Sequence, residues 1–266
     1  LIYCYWHKEL EFLYVYQGRL SLIVADKKAS LKEGDIAVVN MDEIHYGEAI
    51  APFNCEIFVF LVSIEQSLPA NNAGACRSLQ QLLNEELRLT PLIAPQAPRY
   101  AELLSCLMGM YTLYKEREEG FELQALSLVY ELFSILFSVK NFYLVADTPI
   151  STQTQEKINR LKKVLSYIDQ NYGQKIYTKE LADLLYMGED NFYKFFLSLT
   201  GVSPSKYILS YRMKKAAKLL AATDLPVTEV CYRVGFNTVS YFIKMFREQF
   251  GCTPKKYRSI QQNTET

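Results

Sequence analysis

Short apolar runs alternate with turn residues through residues 10–62 and predict β-strands. Gly18, a DKKA segment and Gly34 separate these runs, which are rich in Val, Ile, Phe and Tyr. Several short strands at this spacing favour a small antiparallel barrel or sandwich. The predicted strands are EFLYVY (11–16), RLSLIVA (19–25), DIAVVN (35–40) and CEIFVFLV (55–62).

From about Arg77 the apolar positions recur at i, i+3 and i+4, which predicts helices over 78–89, 99–116 and 121–139. The third helix is apolar round more than half its circumference, so we expect a neighbour or a second copy of the chain to bury it. This predicts a homodimer through the helices of 100–143. The apolar positions concerned are Leu123, Leu126, Val129, Tyr130, Phe133, Leu136 and Phe137.

The C-terminal part contains an internal repeat. The segment ELADLLYMGEDNFYKFFLSLTGVSPSKY (180–207) matches EVCYRVGFNTVSYFIKMFREQFGCTPKKY (229–257) in its glycines, prolines and aromatic residues. Each copy predicts a short helix, a tight turn and a second helix, which is a helix-turn-helix. A generic pair of helices explains each copy alone equally well. The predicted helices are Thr178–Leu185 and Glu189–Leu199 in the first copy, then a helix ending before Gly235 and Thr238–Phe250 in the second.

Each second helix has an apolar stripe and a polar face. The stripes comprise Phe192, Phe195, Phe196 and Leu199 in the first copy, and Phe242, Met245, Phe246 and Phe250 in the second. The polar face of a helix-turn-helix meets base edges in the major groove. The predicted DNA-binding residues are therefore Glu189, Asp190, Tyr193, Lys194, Thr238, Ser240, Tyr241 and Lys244.

A single helix is predicted to connect the two copies. Ser203 and Pro204 provide a cap and a start, while Asp224 restarts the chain and Pro226 sits in the first turn of the next helix. A connector of about 19 residues is about 28 Å long. Adjacent major grooves on one side of B-DNA lie about 34 Å apart, so we expect bound DNA to bend.

Charge divides the chain in two. Residues 1–154 carry 11 Lys and Arg against 19 Asp and Glu, whereas residues 155–266 carry 18 against 10. The basic half is typical of nucleic-acid binding.

The cysteines and the apolar runs bear on where the protein is located. The six cysteines form no CxxC pair, which indicates reduced thiols in a cytoplasmic protein and argues against a zinc site. No apolar stretch reaches the ~20 residues of a membrane span. Because the sequence begins at Leu1 rather than at a Met, it leaves open whether a targeting segment precedes it.

The repeat resembles the double helix-turn-helix of the AraC/XylS family of bacterial transcription regulators, and the string VGF…SYF…F…FG.TP..YR carries the likeness. Phe195-Phe196-Leu197-Ser198 departs from the basic pair that the family shows after the first Phe, which weakens the phosphate contacts expected there. The small, polar, proline-containing segment ADTPISTQTQE, at which the charge balance changes sign, marks a linker over 147–156. The resemblance then implies an α+β chain with a cupin-like barrel over 1–75, a helical dimerisation segment over 76–146 and a DNA-binding domain over 157–266.

The N-terminal half looks like the cupin barrel with which many members of this family sense a small molecule. His7, Glu11 and Gly18 fit the first cupin motif, with Tyr5 in place of its leading histidine. Gly34 and His45 fit the second, with Asn40 and Asp42 replacing its proline and glycine. Tyr5, His7 and Glu11 would share one face of a strand. We expect Tyr5, His7, Glu11 and His45 to line an effector pocket, and a metal ion on His7, Glu11 and His45 ranks second.

The predicted protein is a ligand-responsive, cytoplasmic regulator of a carbohydrate or small-metabolite operon. Its expected partners are duplex DNA, a small effector such as a sugar, a second copy of the chain and RNA polymerase, without a membrane or a cofactor. No nucleophile, base and orienting group occur at a recognisable spacing, so no catalysis is expected. Two alternatives stay open: a metal-binding cupin enzyme with a regulatory helical tail, and an adaptor whose helices bind protein.

Overall fold

The computed structural model describes residues 2–5, 7–24, 27–50, 54–68, 76–147 and 151–263, with the backbone alone for 2–5 and 261–263. Two compact units make up the chain, Leu1–Thr152 and Gln153–Thr266. The division falls inside the segment 147–156 that composition marks as a linker. The first unit contains both the strands of 1–75 and the helices of 76–146.

The first unit is built on two four-stranded antiparallel sheets, ordered β1-β6-β3-β4 and β7-β2-β5-β9. A two-stranded sheet of β8 and β10 accompanies them. A strand-rich, cupin-like N-terminal domain is thereby confirmed. The strands are β1 (Ile2–Tyr5), β2 (Leu10–Gln17), β3 (Arg19–Val24), β4 (Lys27–Lys32), β5 (Ile36–Val39), β6 (His45–Ala49), β7 (Glu56–Val62), β8 (Leu87–Leu89), β9 (Leu92–Ile93) and β10 (Phe142–Leu144).

Alternating residues of the two large sheets form a shared core. In β2 and β3 every second side chain points into this core, as the pleat requires. The opposite side of the β7-β2-β5-β9 sheet packs on helices, which explains why β2 is buried almost throughout its length. The shared core comprises Leu13, Val15, Leu20, Leu22, Leu31, Ala37 and Val39.

Three predictions in this unit are wrong in detail. Lys27, Lys28 and Ala29 of the DKKA segment lie in β4, which pairs with β3 along its full length, while Asp26 lies outside the described residues. The short strand β6 begins at His45 and was not predicted. The helix expected over 78–89 ends at Leu83, after which β8 pairs with β10. Cross-strand pairing overrides the local apolar spacing in these segments, with the adjacent β3 in the case of β4 and with the distant β10 in the case of β8.

The helices of the first unit are α1 (Ile64–Ser67), α2 (Arg77–Leu83), α3 (Tyr100–Glu116) and α4 (Phe121–Ser138), followed by a 3₁₀ turn at Val145–Asp147. α3 and α4 pack on the β7-β2-β5-β9 sheet. Phe133 and Leu136 of α4 are only 2% and 0% exposed in this core. These two residues are thus buried by neighbours within the chain, one of the two predicted possibilities, whereas Leu123 at the other end of α4 is 75% exposed. The homodimer stays a prediction.

Helix α4 is also the one described helix that is long and apolar enough to cross a membrane. Its C-terminal half lies in the core of the first unit, through Leu132, Phe133, Ile135 and Leu136. A core helix of a globular domain has the same length and composition.

The second unit is entirely helical among its described residues, and its two helix-turn-helix motifs are confirmed. The motifs are α6–α7 and α9–α10, and α8 connects them over 19 residues, as predicted. Pro226 precedes the first turn of α9 as its N-cap rather than lying within it. The helices are α5 (Thr152–Asn171), α6 (Thr178–Asp183), α7 (Glu189–Thr200), α8 (Pro204–Ala222), α9 (Val227–Arg233), α10 (Val239–Phe250) and α11 (Pro254–Asn263).

Candidate DNA-binding surface and effector site

The first helix-turn-helix is held by side chains of α5. Arg160 donates a hydrogen bond to the carbonyl oxygen of Leu185 at 3.1 Å, and Lys163 donates one to that of Leu184, also at 3.1 Å. These carbonyl groups at the end of α6 lack partners within the helix, and cations are favoured there. The turn that follows contains Tyr186, which has a φ of 54° and is 95% exposed.

The second helix-turn-helix turns at Gly235, which has a φ of +84°. A Cβ at this position would lie 2.6 Å from the carbonyl oxygen of Tyr172, so both the conformation and the close approach require glycine. Arg212 of α8 fixes the turn by donating to the carbonyl oxygens of Tyr172 at 2.8 Å, Gly235 at 2.9 Å and Gln174 at 2.5 Å.

Both recognition helices have a buried stripe and an exposed polar face. Phe192 and Phe196 of α7, and Phe242 and Phe246 of α10, are completely buried. The two phenylalanines of each helix lie i, i+4 on one side, which leaves the other side exposed. All eight predicted DNA-binding residues are exposed: Glu189, Asp190, Tyr193, Lys194, Thr238, Ser240, Tyr241 and Lys244.

Several cations of the second unit are partly buried and bonded to other protein groups, which the sequence did not indicate. Arg212 is the most consequential, because its three acceptors come from two separate segments of the chain. Arg258 donates to the carbonyl oxygens of Leu220 and Leu225, and Lys215 lies 2.8 Å from Asp169. The net charge of this half therefore overstates the number of cations available to DNA.

In the first unit, His7, Glu11 and His45 come together. His7 Nε2 lies 2.7 Å from Glu11 Oε2, and His45 Nε2 lies 3.3 Å from the same oxygen. One ligand atom from each residue fits within 4.8 Å of the others. His45 is fully buried and Glu11 is 5% exposed, so His7 is the member of this cluster that solvent reaches most easily.

Burial acts to raise the pKa of Glu11, but hydrogen bonds from His45 and His7 outweigh it and lower that pKa from 4.5 to about 2. Burial acts to lower the pKa of His7, but Glu11, with a smaller contribution from Glu9, raises it above its ordinary value of 6.5. The cluster therefore favours an ionised Glu11 carboxylate in contact with at least one protonated imidazole.

The backbone route to this cluster differs from the one predicted. β1 ends at Tyr5, the residues from His7 to Glu9 are not in a strand, and β1 and β2 belong to different sheets. The prediction that Tyr5, His7 and Glu11 share one face of a strand is wrong. Tyr5 pairs with His45 across β1 and β6, and its side chain lies outside the described part of the structure.

The loop before His45 is anchored by Asn40, one of the residues that depart from the cupin motif. Its side-chain amide donates to the carbonyl oxygen of Leu89 at 3.1 Å, and its side-chain oxygen accepts from the Leu89 N–H at 2.7 Å. Glu43, which accepts from the Asn40 N–H at 2.9 Å, pairs with Arg88 at 3.0 Å. These bonds hold the start of β6 and with it His45.

Two family models match the chain. The AraC-like ligand binding domain matches residues 5–133, and a helix-turn-helix domain matches residues 181–260. The first match contains His7, Glu11 and His45, and the second contains all eight residues of the exposed polar faces.

Relatives of the chain are named as transcription regulators. YdeC of Bacillus subtilis, an uncharacterized HTH-type transcriptional regulator, is 24% identical over 96% of this chain and 86% of its own length. The probable transcriptional regulator LumQ of Photobacterium leiognathi is 33% identical, but the alignment spans 39% of this chain and 43% of LumQ. The crystallised DNA-binding domain of AdpA, in complex with a target DNA, is 30% identical over 39% of this chain and 94% of that domain, with a TM-score of 0.38.

Proposed function

Because this chain belongs to the AraC family of transcription regulators, we propose that it controls a carbohydrate or small-metabolite operon in response to an effector bound in its first unit. The observation that carries this proposal is the pairing of two exposed recognition faces with a buried polar cluster in a separate unit. The protein acts in the cytoplasm, as a homodimer and without catalysis, and RNA polymerase is its further partner.

The two recognition faces would read DNA by different chemistry. On α10, Lys244 suits guanine O6 and N7 or a phosphate, while Thr238 and Ser240 suit either base edges or phosphate. On α7, Glu189 and Asp190 repel phosphate, so they must accept from a base donor such as cytosine N4 or turn away. The first helix therefore contributes selectivity, and the second contributes both selectivity and affinity.

Selection from random duplexes tests this assignment. The wild-type chain should enrich one bipartite sequence. Lys194→Ala should relax preference in one half of that sequence, and Lys244→Ala should relax it in the other by ~1–3 kcal/mol per lost base contact. Each variant serves as the control for the other half. Unchanged preferences in both variants would refute the assignment of α7 and α10 as reading helices.

The effector site we propose consists of Tyr5, His7, Glu11 and His45. Since Glu11 and His45 are buried, an effector would reach His7 first. Its hydroxyl groups would then replace the hydrogen bond between His7 and Glu11 with hydrogen bonds to the effector. A sugar supplies hydroxyls that can both donate and accept. Coupling of ~1–3 kcal/mol between effector and operator would be ordinary for such a switch.

A divalent cation is the second candidate for this site, and the imidazole contacts favour it. The Nδ1 atom of His7 lies 2.9 Å from the Glu9 carbonyl oxygen, and that of His45 lies 3.2 Å from the Glu43 carbonyl oxygen. A carbonyl oxygen only accepts, so each of these Nδ1 atoms donates its proton to that carbonyl, and the His7 Nε2 also donates to the Glu11 carboxylate while no cation is bound. A cation on the Nε2 atoms would take the place of protons there and leave the Nδ1–H tautomer that metal-binding histidines adopt. Such a cation would fix the three side chains and offer open positions to an oxygen ligand.

Thermal-shift screening distinguishes the two candidates. Metabolites and divalent metal salts are tested separately against the wild type and against a His7→Ala/His45→Ala double variant, with Glu48→Gln, at an exposed position of β6, as the matched control. A metabolite that stabilises the wild type but not the double variant supports the effector site. Stabilisation by metal alone, lost in the double variant, supports the cation. An effector that stabilises all three proteins equally binds elsewhere and contradicts both.

A further inference from the structure

A groove of about 630 Å³ lies in the second unit where the beginnings of α6, α8 and α10 meet. We call it the central groove, because it joins the first helix-turn-helix, the connecting helix and the second helix-turn-helix. The polar residues of its lining include Lys175, Lys206, Arg212, Ser205, Asn237 and Thr238.

The charge of this lining has one sign. Lys175, Lys206 and Arg212 line the groove, and no Asp or Glu is among the lining residues. Lys175 and Lys206 are exposed, so their ammonium groups can reach a ligand. Arg212 is held by three carbonyl oxygens, which keeps a fixed positive charge at the wall. A concave surface with three cations and no carboxylate attracts anions.

The remaining polar lining can donate hydrogen bonds. Ser205, Asn237 and Thr238 are exposed at the groove, and Thr178 and Ser203 are partly exposed. Hydroxyl and amide side chains of this kind make many of the contacts that proteins form with DNA phosphates. The 19-residue helix α8 and the 12-residue helix α10 also begin here, which adds their partial positive charges to that of the side chains.

From this lining we infer that the central groove binds the sugar-phosphate backbone of DNA between the two half-sites. The inference rests on the proposed reading of DNA by α7 and α10. Two helices that enter adjacent major grooves on one side of a duplex leave the intervening DNA backbone facing the protein surface between them. In this inference, the central groove is that surface. Lys175 and Lys206 contact phosphates, and Ser205, Asn237 and Thr238 add hydrogen bonds that carry no sequence information.

Neutral phosphates test the inference in the full-length chain. The operator is the duplex that the wild type selects from random DNA, and each tested duplex carries one methylphosphonate in place of one phosphate. At one or two of the phosphate positions between the half-sites, the methylphosphonate should lower wild-type affinity on the order of tenfold, since the substitution removes a charge-assisted contact. In Lys175→Ala/Lys206→Ala the same duplexes should bind as well as the unmodified operator.

The double variant should also lose affinity for operator and random duplexes alike and keep the selected sequence. The slope of log K against log salt should fall by about 1 for each lysine removed. Lys218→Ala, an exposed lysine of α8 outside the groove, is the matched control and should keep the wild-type sensitivity to interior methylphosphonates. Far-ultraviolet circular dichroism verifies that the variants fold.

Three results would overturn the inference. The first is wild-type binding that no interior methylphosphonate weakens, although an operator is selected. The second is a double variant that keeps the wild-type sensitivity. The third is stabilisation of the wild type by free inorganic phosphate, lost in the double variant, without any interior methylphosphonate effect, since the groove would then serve a free anion. Failure to select any operator would overturn the DNA-reading function and the groove together.

Discussion

Replacing Glu11 by Gln should remove a pH-dependent part of the stability of the first unit. The Glu11 carboxyl has a pKa of about 2 in the folded chain against an ordinary 4.5, because the two imidazoles outweigh its burial. A difference of about 2.5 units corresponds to ~3 kcal/mol at 1.36 kcal/mol per unit. Since the folded pKa is the lower one, this stability is present above pH 4.5 and is lost as the pH falls toward 2.

His7 limits the same contribution on the alkaline side. Its pKa is raised above 6.5 in the folded chain, so its share of the stability is complete below pH 6.5 and is lost as the pH rises through the raised value. The advantage of the wild type over Glu11→Gln should therefore be largest between pH 4.5 and 6.5. All other carboxyl groups titrate in both proteins and cancel in the difference.

Tryptophan fluorescence makes this measurement specific to the first unit, because Trp6 is the single tryptophan of the sequence. Urea unfolding is followed between about pH 3 and 8 with EDTA present, which removes any contribution from divalent cations. Glu48→Gln, an exposed residue of β6, is the matched control and should track the wild type. A difference between wild type and Glu11→Gln that does not change between pH 3 and 6 would refute the assigned contacts.

Three further outcomes are expected. Arg212→Ala removes a donor to three carbonyl oxygens, so amide exchange in the second turn should report a loss of ~2–4 kcal/mol; unaltered protection there would contradict this role. Leu123→Asp should give folded monomers in sedimentation, whereas Phe133→Asp should unfold the first unit, because Leu123 is exposed and Phe133 is buried. A wild type that sediments as a monomer at micromolar concentration would refute the dimer. Replacing Glu189 and Asp190 by Ala should strengthen binding to random DNA and relax one half-site, while a uniform loss of affinity would argue against their selective role.

The helices of the two motifs and their connector could be predicted from the sequence nearly to their ends, whereas α5 and α11 were not predicted. Its elements are local, their apolar stripes recur at helical spacing, and the repeat supplies each motif twice. The role of Arg212 could not be predicted, because its acceptors Tyr172, Gln174 and Gly235 lie 40, 38 and 23 residues away and meet it only in the fold. No spacing rule connects a helix residue to carbonyl oxygens so far along the chain.

The first unit shows the opposite balance. Motif spacing led to His7, Glu11 and His45, and the structure does bring them together, but through a connection between sheets rather than along one strand. The strands that sequence reasoning missed are short or polar, and all of them except β4, which pairs with the preceding strand β3, pair with strands that do not adjoin them in the sequence. β8, for example, pairs with β10 more than 50 residues later in the chain. Pairings of this range leave no periodic pattern in the sequence.

The connecting helix α8 has a consequence for how the operator can change over time. Its first turn is packed on α7, where the Tyr207 and Phe196 rings lie 5.6 Å apart, and Met213, Ala216 and Leu220 fix its other end in the core of the second motif. Each base pair inserted between the half-sites would advance the second one by about 3.4 Å and rotate it by about 35°. A continuous helix fixed at both ends cannot follow that screw motion. Promoters under this regulator should therefore diverge by substitution and keep their length, and the two half-sites should be inherited as one block.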